Sequence, residues 1–469
     1  MRLFEIILII LLFLLSIQTF LPSAFGRIDR KLLMGWLSIV ATAIIPIHAL
    51  IEGFRWQMLP VYLITALFLI RGIFQLKDIY RIESSAPLKV PPRRRVVVAI
   101  IVLTIIASST TLVLDNLLPV FVLPNPTGEY NIGTTTFELT DQNRNETFTA
   151  DPDDFRRILI QAWYPADDVT GLNRAPYLYN PSAFTTGIQR AWGLPSIIVS
   201  HFSLTVTHSY EDASLSDAEA TFPVLIFSHG YGGVIMQNTV LMEELASHGY
   251  VVFSIAHPYE AVVTAFPNGD VIYEDDKDTF DNIDSSLDVW ANDTLFLVDQ
   301  LEITSNPDIP NIFWGKLDFS HIGALGHSFG GTTAEQVCLA DSRLQAGISF
   351  DSPHGNLAKT ANMTKPFMLL FGPDYGNPEL NDTVFTHSES TCYGLYVDGT
   401  RHYNFGDMNI WTSLLKSFGL LGSIEGYRML EVLTEYVVAF FDTHLVGDTS
   451  SLLDGPSTAY PEVTFHKKP

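Results

Sequence analysis

Residues 326–330 read Gly-His-Ser-Phe-Gly, the G-x-S-x-G pattern that places a serine on a sharp turn between a strand and a helix. An apolar run, residues 321–325, precedes the pattern, and a helix-compatible stretch, residues 331–340, follows it. The glycines let strand and helix approach closely, and the N-terminus of the helix directs its positive dipole at developing negative charge. Isolated matches also occur by chance in glycine-rich turns, but these flanking elements predict that Ser328 is a nucleophile.

A serine nucleophile needs a histidine base and a carboxylate that orients it, in the chain order serine, acid, histidine for this motif. Among the downstream histidines, His402 follows the last strand-like run, in a loop from which a base can reach back to the serine. For the acid, Asp351 ends one strand-like run and Asp374 follows the next, and both positions are usable. We favour Asp351 because it abuts the end of its strand, whereas Asp374 sits in a Pro/Gly-rich turn.

An oxyanion hole requires backbone N–H groups aimed at the tetrahedral intermediate. We expect one from the residue after the nucleophile, Phe329. The second is expected in the glycine-rich loop 228–233, which reads Ser-His-Gly-Tyr-Gly-Gly after an apolar run, and we choose Tyr231. His229 is interpreted as a structural residue that shapes this loop by hydrogen bonding.

The elements that must position these residues follow an α/β pattern after residue 123. Seven β-rich runs alternate with helical stretches, and several are almost continuously apolar, which is typical of strands buried on both faces of a mainly parallel sheet. They are residues 158–164, 224–227, 250–255, 322–325, 346–350, 367–371 and 395–397. We also expect an edge hairpin in 127–140 and a helix over 182–192 within the long segment 176–216, an insert that could cover an active site.

The first 123 residues are of a different kind, because four stretches are apolar over about the length that crosses a hydrocarbon core of roughly 30 Å. They are residues 6–20, 32–50, 58–76 and 96–114. The segment between the last two is rich in Lys and Arg, and such short loops stay cytoplasmic. The alternation then places the N-terminus and the large domain on the extracytoplasmic side.

A rival interpretation makes the first stretch a cleaved signal peptide, with Ser23 and Ala24 as small residues near the cut. Three spans would remain, and the large domain would be cytoplasmic. The positive-inside bias favours the four-span arrangement. A plain membrane anchor is favoured over a transport path, because few polar residues interrupt the spans.

Charge separates the two parts of the 469-residue chain. Residues 1–123 carry a net charge of +6 and residues 124–469 a net charge of −30, which together give −24. The acidic part would repel a phosphate backbone, so a nucleic-acid partner is not expected. With only two cysteines, Cys338 and Cys392, a disulfide framework and a cysteine-rich metal site are excluded, and whether the two thiols meet is left open.

Six sequence segments together resemble the plasma-type (isoform II) platelet-activating factor acetylhydrolase family of α/β-hydrolases and its microbial relatives, over about residues 127–445. They read Thr-Gly-Glu-Tyr-Asn-Ile-Gly-Thr at 127–134, Ala-Trp-Tyr-Pro at 162–165, Phe-Ser-His-Gly-Tyr-Gly-Gly at 227–233, Ser-His-Gly-Tyr at 247–250, Gly-His-Ser-Phe-Gly-Gly at 326–331 and Arg-His-Tyr-Asn-Phe at 401–405. The resemblance implies hydrolysis of short or oxidised acyl esters without a metal ion. It also places the acid at Asp351 and the oxyanion donors at Tyr231 and Phe329. Residues 257–259, His-Pro-Tyr, depart from the His-Arg-Asp-type stretch of the animal enzymes, so their substrate preference is not carried over.

The sequence therefore predicts two domains: a membrane anchor of four transmembrane helices at 1–123 and an extracytoplasmic α/β-hydrolase domain at 124–469. We expect a serine carboxylic ester hydrolase that acts on short-chain acyl esters or phospholipid-like lipids, without a cofactor or metal, beside a lipid bilayer. The alternative is a catalytically inactive hydrolase fold that serves as a receptor or sensor. An intact set of Ser328, Asp351 and His402 argues against that alternative. The substrate's acyl and alcohol groups and the oligomeric state stay open.

Overall fold

A computed structural model describes residues 1–19, 24–25, 28–80, 94–275, 283–376 and 382–469. The chain divides into two compact units, Met1–Val120 and Phe121–Pro469. Residues 81–93, which make up most of the cation-rich segment between the last two predicted spans, lie outside the described residues, as does Ser23 of the rival cleavage site.

The described residues of the first unit form four α-helices: α1 (Leu3–Gln18), α2 (Arg30–Ile51), α3 (Leu59–Tyr80) and α4 (Arg94–Leu117). A two-residue ribbon, β1 (Ala24–Phe25) with β2 (Ile28–Asp29), precedes α2. Within the part of the chain that the structure describes, three helices are long and apolar enough to cross a membrane, namely Arg30–Ile51, Trp56–Lys77 and Arg95–Leu117. The helix at the first predicted span, Leu3–Gln18, has 16 residues, about 24 Å at 1.5 Å per residue, which is shorter than a typical hydrocarbon core.

Buried charges gather at one end of this helical unit. Arg55 donates to Glu5 at 3.0 Å and also contacts Asp115, and all three side chains are almost fully buried. Because an isolated buried charge is very costly, the two carboxylates and the guanidinium stabilise one another. The cluster therefore ties α1 and α4 to the segment between α2 and α3.

The second unit contains one large sheet and a small hairpin. Its strands are β3 (Asn131–Asn145), β4 (Phe155–Ala166), β5 (Arg174–Pro176), β6 (Val206–Glu211), β7 (Phe222–Ser228), β8 (Val251–Ala256), β9 (Val263–Ala265), β10 (Val271–Tyr273), β11 (Leu317–His327), β12 (Leu344–Phe350), β13 (Phe367–Phe371), β14 (Cys392–Val397) and β15 (Val463–Lys468). The hairpin is β9 with β10. The strand order in the large sheet is β15-β14-β13-β12-β11-β7-β8-β4-β3-β6-β5.

The sheet is parallel from β8 through β7, β11, β12 and β13 to β14, and antiparallel where β4 joins β8 and where β15 joins β14. Each of the seven predicted runs overlaps one of these strands, which confirms the α/β prediction. The expected hairpin within 127–140 is wrong. Residues 131–140 of that stretch lie in the single long strand β3, which pairs with β4 over most of its length because both strands carry inward-facing apolar residues.

Helices cover both faces of the sheet. They are α5 (Pro181–Trp192), α6 (Thr239–Ser247), α7 (Ile283–Glu302), α8 (Phe329–Ala340), α9 (Asn356–Thr360), α10 (Thr383–His387), α11 (Met408–Trp411), α12 (Leu414–Ser417) and α13 (Gly426–Phe441). Apolar side chains of α7 and α8 pack in one buried cluster, and those of α6 and α13 pack in another. Burial on both faces explains why the central strands are so apolar.

The predicted helix over 182–192 is confirmed as α5. Asn180 caps it by accepting a hydrogen bond from the Ala183 N–H, Pro181 occupies the first turn, and Gly193 ends it with φ of 67°. Its buried face packs with residues of α11 in a third apolar cluster.

Candidate active site

The serine of the G-x-S-x-G motif occupies a strained turn at the carboxyl end of β11. Ser328 has φ of 54° and ψ of −121°, between the end of β11 and the start of α8. A Cβ atom on Gly330 would come within 2.0 Å of the Ser228 carbonyl oxygen, and one on Gly326 within 2.3 Å of the Gly330 backbone. Both positions therefore require glycine, since no larger residue fits without moving the backbone.

Ser328, His402 and Asp351 form one hydrogen-bonded line. The Ser328 Oγ lies 2.9 Å from His402 Nε2, and His402 Nδ1 lies 2.7 Å from Asp351 Oδ2. Because a carboxylate accepts, Nδ1 carries the hydrogen of the neutral imidazole and Nε2 faces the serine hydroxyl as an acceptor. In this geometry the ring is placed to take the hydroxyl proton.

Asp351 is fixed by its own surroundings. It is fully buried, has φ of 48°, and its Oδ1 accepts a hydrogen bond from the Gly372 N–H at 2.7 Å. Asp374, the other candidate acid, contacts the backbone N–H of His402 instead of the imidazole ring. Of the two carboxylates left open by the sequence, the structure brings Asp351 to the ring.

The glycine-rich loop after β7 lies beside Ser328. A Cβ on Gly230 would be 3.3 Å from the Ser328 Cβ. A tight turn shapes the loop, because the Gly233 N–H donates to the Gly230 carbonyl at 2.8 Å and Gly232 has φ of 62°. The rings of Tyr231 and Phe329, the two residues expected to supply oxyanion donors, meet edge to face with centroids 6.3 Å apart.

His229 has the structural role expected of it. Its Nδ1–H donates to the Gly230 carbonyl at 2.6 Å, and its Nε2 accepts from the His257 backbone N–H at 3.3 Å. Burial lowers the pKa of His229 to about 3, so the ring stays neutral in this arrangement.

A second buried serine–histidine–aspartate array was not anticipated from the sequence. Ser228 Oγ lies 3.1 Å from His257 Nε2, and His257 Nδ1 lies 2.9 Å from Asp293 Oδ2. Arg156 pairs with Asp293 at 2.8 Å, and the indole ring of Trp290 stacks on His257 at 3.9 Å. All five side chains are nearly or fully buried, so the array lies in the protein interior next to the glycine-rich loop, which begins at Ser228.

No local pattern could have revealed that array, because its members are distant in the chain and each is an ordinary residue for its element. The one available signal was the histidine that residues 257–259 share with the His-Arg-Asp-type stretch of the animal enzymes. The histidine of that stretch is the ring that joins Ser228 to Asp293.

A cavity of about 40 Å³ borders His327, the residue before Ser328. Helix α5, the glycine-rich loop and the segment after His402 form its walls, which are mostly apolar. The lining residues are Ile188, Trp192, Gly232, Val234, Gln237, Val262, His327, Tyr403, Gly406, Met408 and Trp411. The expectation that the segment 176–216 covers the site agrees with the position of Ile188 and Trp192.

The two cysteines are buried as free thiols, and burial raises the pKa of each to about 12, which keeps them protonated and inert.

In the first unit, Glu5, His48 and Glu52 place ligand atoms within 4.8 Å of one another. Arg2 and Arg55 already donate to Glu5, so cations of the chain occupy this carboxylate.

A serine on a strand-to-helix turn, with an acid and a histidine that follow it in the chain and a mainly parallel sheet beneath, defines an α/β-hydrolase. The family model described as platelet-activating factor acetylhydrolase, isoform II, matches residues 119–281 and 298–451. The chain therefore belongs to this family, and it is a carboxylic ester hydrolase.

Named relatives agree with this assignment. A protein of Arthroderma benhamiae named probable 1-alkyl-2-acetylglycerophosphocholine esterase is 28% identical over 74% of this chain and 94% of its own length. Platelet-activating factor acetylhydrolase of Cavia porcellus is 26% identical over 52% of this chain and 64% of its own length. Among solved structures, ferulic acid esterase from Streptomyces cinnamoneus is similar with a TM-score of 0.61 and 28% identity, over 74% of this chain and 99% of that one.

Proposed function

We propose that the protein is a membrane-anchored serine esterase that removes short acyl groups from phospholipid-like esters through an acyl-enzyme. The observation that carries the proposal is the unbroken line from Ser328 through His402 to Asp351, at 2.9 and 2.7 Å. Substrates of this class are in the names of the relatives from Arthroderma benhamiae and Cavia porcellus.

The mechanism has two half-reactions. His402 Nε2 takes the hydroxyl proton as Ser328 Oγ bonds to the acyl carbon, and the same nitrogen then gives that proton to the departing alcohol oxygen. Water attacks the acyl-enzyme in the second half, with His402 again as the base, and the acid product leaves Ser328 free. Backbone N–H groups of Tyr231 and Phe329 stabilise the oxyanion, and each such donor is worth about 10²–10³ in kcat.

We assign the acyl group to the cavity that is lined by Ile188, Trp192 and Met408 and bordered by His327, the residue before Ser328. The relatives named for acetyl esters support a short acyl group. We expect the specificity constant of the full-length protein for p-nitrophenyl esters to be highest at acetate or butyrate and to fall steeply by octanoate. An equal rate with long esters would contradict a short acyl pocket.

Covalent labelling tests the nucleophile. A fluorophosphonate probe should label the full-length protein in detergent, and Ser328→Ala should abolish both the label and ester turnover. Ser228→Ala is the matched control, because it removes a buried serine whose hydroxyl is also hydrogen-bonded to a histidine ring. Persistent labelling of Ser328→Ala would disprove the assignment, and a wild-type protein that neither labels nor turns over esters would favour the receptor alternative.

We assign residues 1–123 to a membrane anchor with four transmembrane helices and residues 124–469 to an extracytoplasmic hydrolase domain. Three long apolar helices and a shorter fourth support the anchor, and the cation-rich sequence between the last two spans supports the orientation. The protein should stay in the membrane fraction after carbonate washing. Protease added to intact cells should digest the hydrolase domain, and its full protection would overturn the orientation.

A further inference from the structure

The side chains of Gln237 and His327 connect the glycine-rich loop to the backbone of His402. The Gly230 N–H donates to Gln237 Oε1 at 3.2 Å, and Gln237 Nε2 lies 2.8 Å from His327 Nδ1. On the other side of the ring, His327 Nε2 lies 2.8 Å from the His402 carbonyl oxygen. Three consecutive hydrogen bonds therefore run from the oxyanion loop to His402.

Each group in this path has only one workable role. A carbonyl can only accept, so His327 must carry its hydrogen on Nε2, and Nδ1 of a neutral ring must then accept from the Gln237 amide. That choice turns Gln237 Oε1 towards the Gly230 N–H, which can only donate. Burial lowers the pKa of His327 to about 3, and the nearby His402 acts in the same direction, so the ring is neutral at ordinary pH.

Neighbouring contacts attach the same stretch of chain to the loop of the base. Asn238 Nδ2 donates to the Phe405 carbonyl at 2.7 Å, and the Asp407 N–H donates to the Gln237 carbonyl at 3.0 Å. These two bonds hold the loop as a whole. The His327 bond alone reaches the carbonyl of the residue whose ring faces the serine.

We propose that Gln237 and His327 are positioning residues that set the placement of the base relative to the oxyanion donors. The inference rests on the proposed function, because it concerns the same site. Both side chains are buried, and both also line the cavity beside the nucleophile. An acyl group in that cavity would therefore contact the residues that hold both halves of the catalytic machinery.

Different esters depend on the base His402 and on the oxyanion donors to different extents. An alkyl ester needs His402 to protonate its poor leaving group, whereas p-nitrophenolate leaves without that proton, so misplacement of the base harms the alkyl ester more. Displacement of the oxyanion loop harms both esters equally, because both pass through a tetrahedral oxyanion. The ratio of the rate with the alkyl ester to the rate with the p-nitrophenyl ester therefore shows whether the base or the oxyanion loop has moved.

Three variants of the full-length protein separate the bonds. His327→Asn puts an acceptor near the position of Nδ1 but loses the donor to the His402 carbonyl, and His327→Gln puts a donor near the position of Nε2 but loses the contact with Gln237. Gln237→Met keeps the side-chain length and removes its three side-chain hydrogen bonds, those with Gly230, His327 and Asn238. We measure kcat/KM for p-nitrophenyl acetate and for an alkyl acetate, together with the melting temperature.

We expect His327→Asn to lower kcat/KM for the alkyl ester about 10–100-fold and for the p-nitrophenyl ester no more than about threefold. The losses differ because only the alkyl leaving group needs a proton from His402 as general acid. His327→Gln and Gln237→Met should lower both by similar factors. The double variant Gln237→Met with His327→Asn should lose less than the product of the two single losses, because one path is broken twice.

Equal losses for both esters in His327→Asn, or strictly multiplicative losses in the double variant, would overturn the inference. Unchanged rate constants in folded variants would also overturn the inference. A purely structural role would lower the melting temperature without changing the ratio of kcat/KM for the two esters. His444→Asn is the control for removal of a partly buried histidine, since His444 contacts Tyr393 near the C-terminal helix. A wild-type protein that hydrolyses neither ester would refute the proposed function itself, which is a different result.

Discussion

The carboxylate of Asp374 accepts a hydrogen bond from the backbone N–H of His402, with Oδ2 2.8 Å from the nitrogen. Asp351 contacts the imidazole ring of the same residue at 2.7 Å. The two acids that the sequence left open therefore serve one histidine in different ways: one orients its ring and the other holds its backbone.

This division predicts different effects for matched substitutions. Asp351→Asn should lower kcat by about 10³–10⁴, because an amide in place of the carboxylate favours the wrong imidazole tautomer. Asp374→Asn should stay within about threefold of the wild type, since the Asn carbonyl still accepts from the N–H. Asp374→Ala should fall between the two. Steady-state ester hydrolysis checks the order, and a larger loss in Asp374→Asn than in Asp351→Asn would exchange the two roles.

The strain at Ser328 should be measurable apart from its chemistry. A residue other than glycine with φ of 54° and ψ of −121° costs about 1–3 kcal/mol, which glycine avoids. Both Ser328→Ala and Ser328→Gly should be inactive, but the glycine variant should be more stable than the alanine variant by about 1 kcal/mol after its extra chain entropy is counted. Chemical denaturation of the pair checks this. A less stable glycine variant would show that the turn is unstrained.

Much of this fold could be predicted because its central strands are nearly continuous apolar runs, and because the nucleophile motif fixes where a strand ends and a helix begins. Strand β15 was missed because it is a polar edge strand, Val-Thr-Phe-His-Lys-Lys, that only pairing with β14 makes extended. The array of Ser228, His257 and Asp293 was missed for a different reason. Its residues meet only through tertiary structure, and polar residues of this kind are usually exposed.

The buried pair of Arg156 and Asp293 should contribute far more to stability than a similar pair at the surface. Asp293→Asn leaves Arg156 with Glu146 as its remaining carboxylate partner and should lower the free energy of unfolding by about 3 kcal/mol. Asp270→Asn, which removes the exposed partner of Arg157, should cost less than about 1 kcal/mol. Urea unfolding of the two variants gives the comparison. Equal losses would mean that the buried pair is not the support of His257 that the geometry indicates.

The imidazole of His354 predicts a loss of stability at alkaline pH. Glu335 and Asp382 carboxylates lie 2.9 and 2.5 Å from its two nitrogens. Burial lowers the pKa of His354, but the two carboxylates outweigh that effect and raise it to about 10. Since an unfolded histidine titrates near 6.5, the unfolded chain loses its proton first as the pH rises. The stabilisation is therefore complete below about pH 6.5 and disappears as the pH rises through about 10.

A variant isolates this contribution from the other titrating groups. His354→Gln should melt several degrees below the wild type at pH 6, and the two melting temperatures should converge by about pH 10. The two proteins differ in that only the wild type has the His354 proton to lose over that interval. Thermal melts of both proteins at matched ionic strength between pH 6 and 10 measure the difference. A constant gap across the range would mean that His354 is neutral between its two carboxylates, and that hydrogen bonding without charge holds the segment following Asp351.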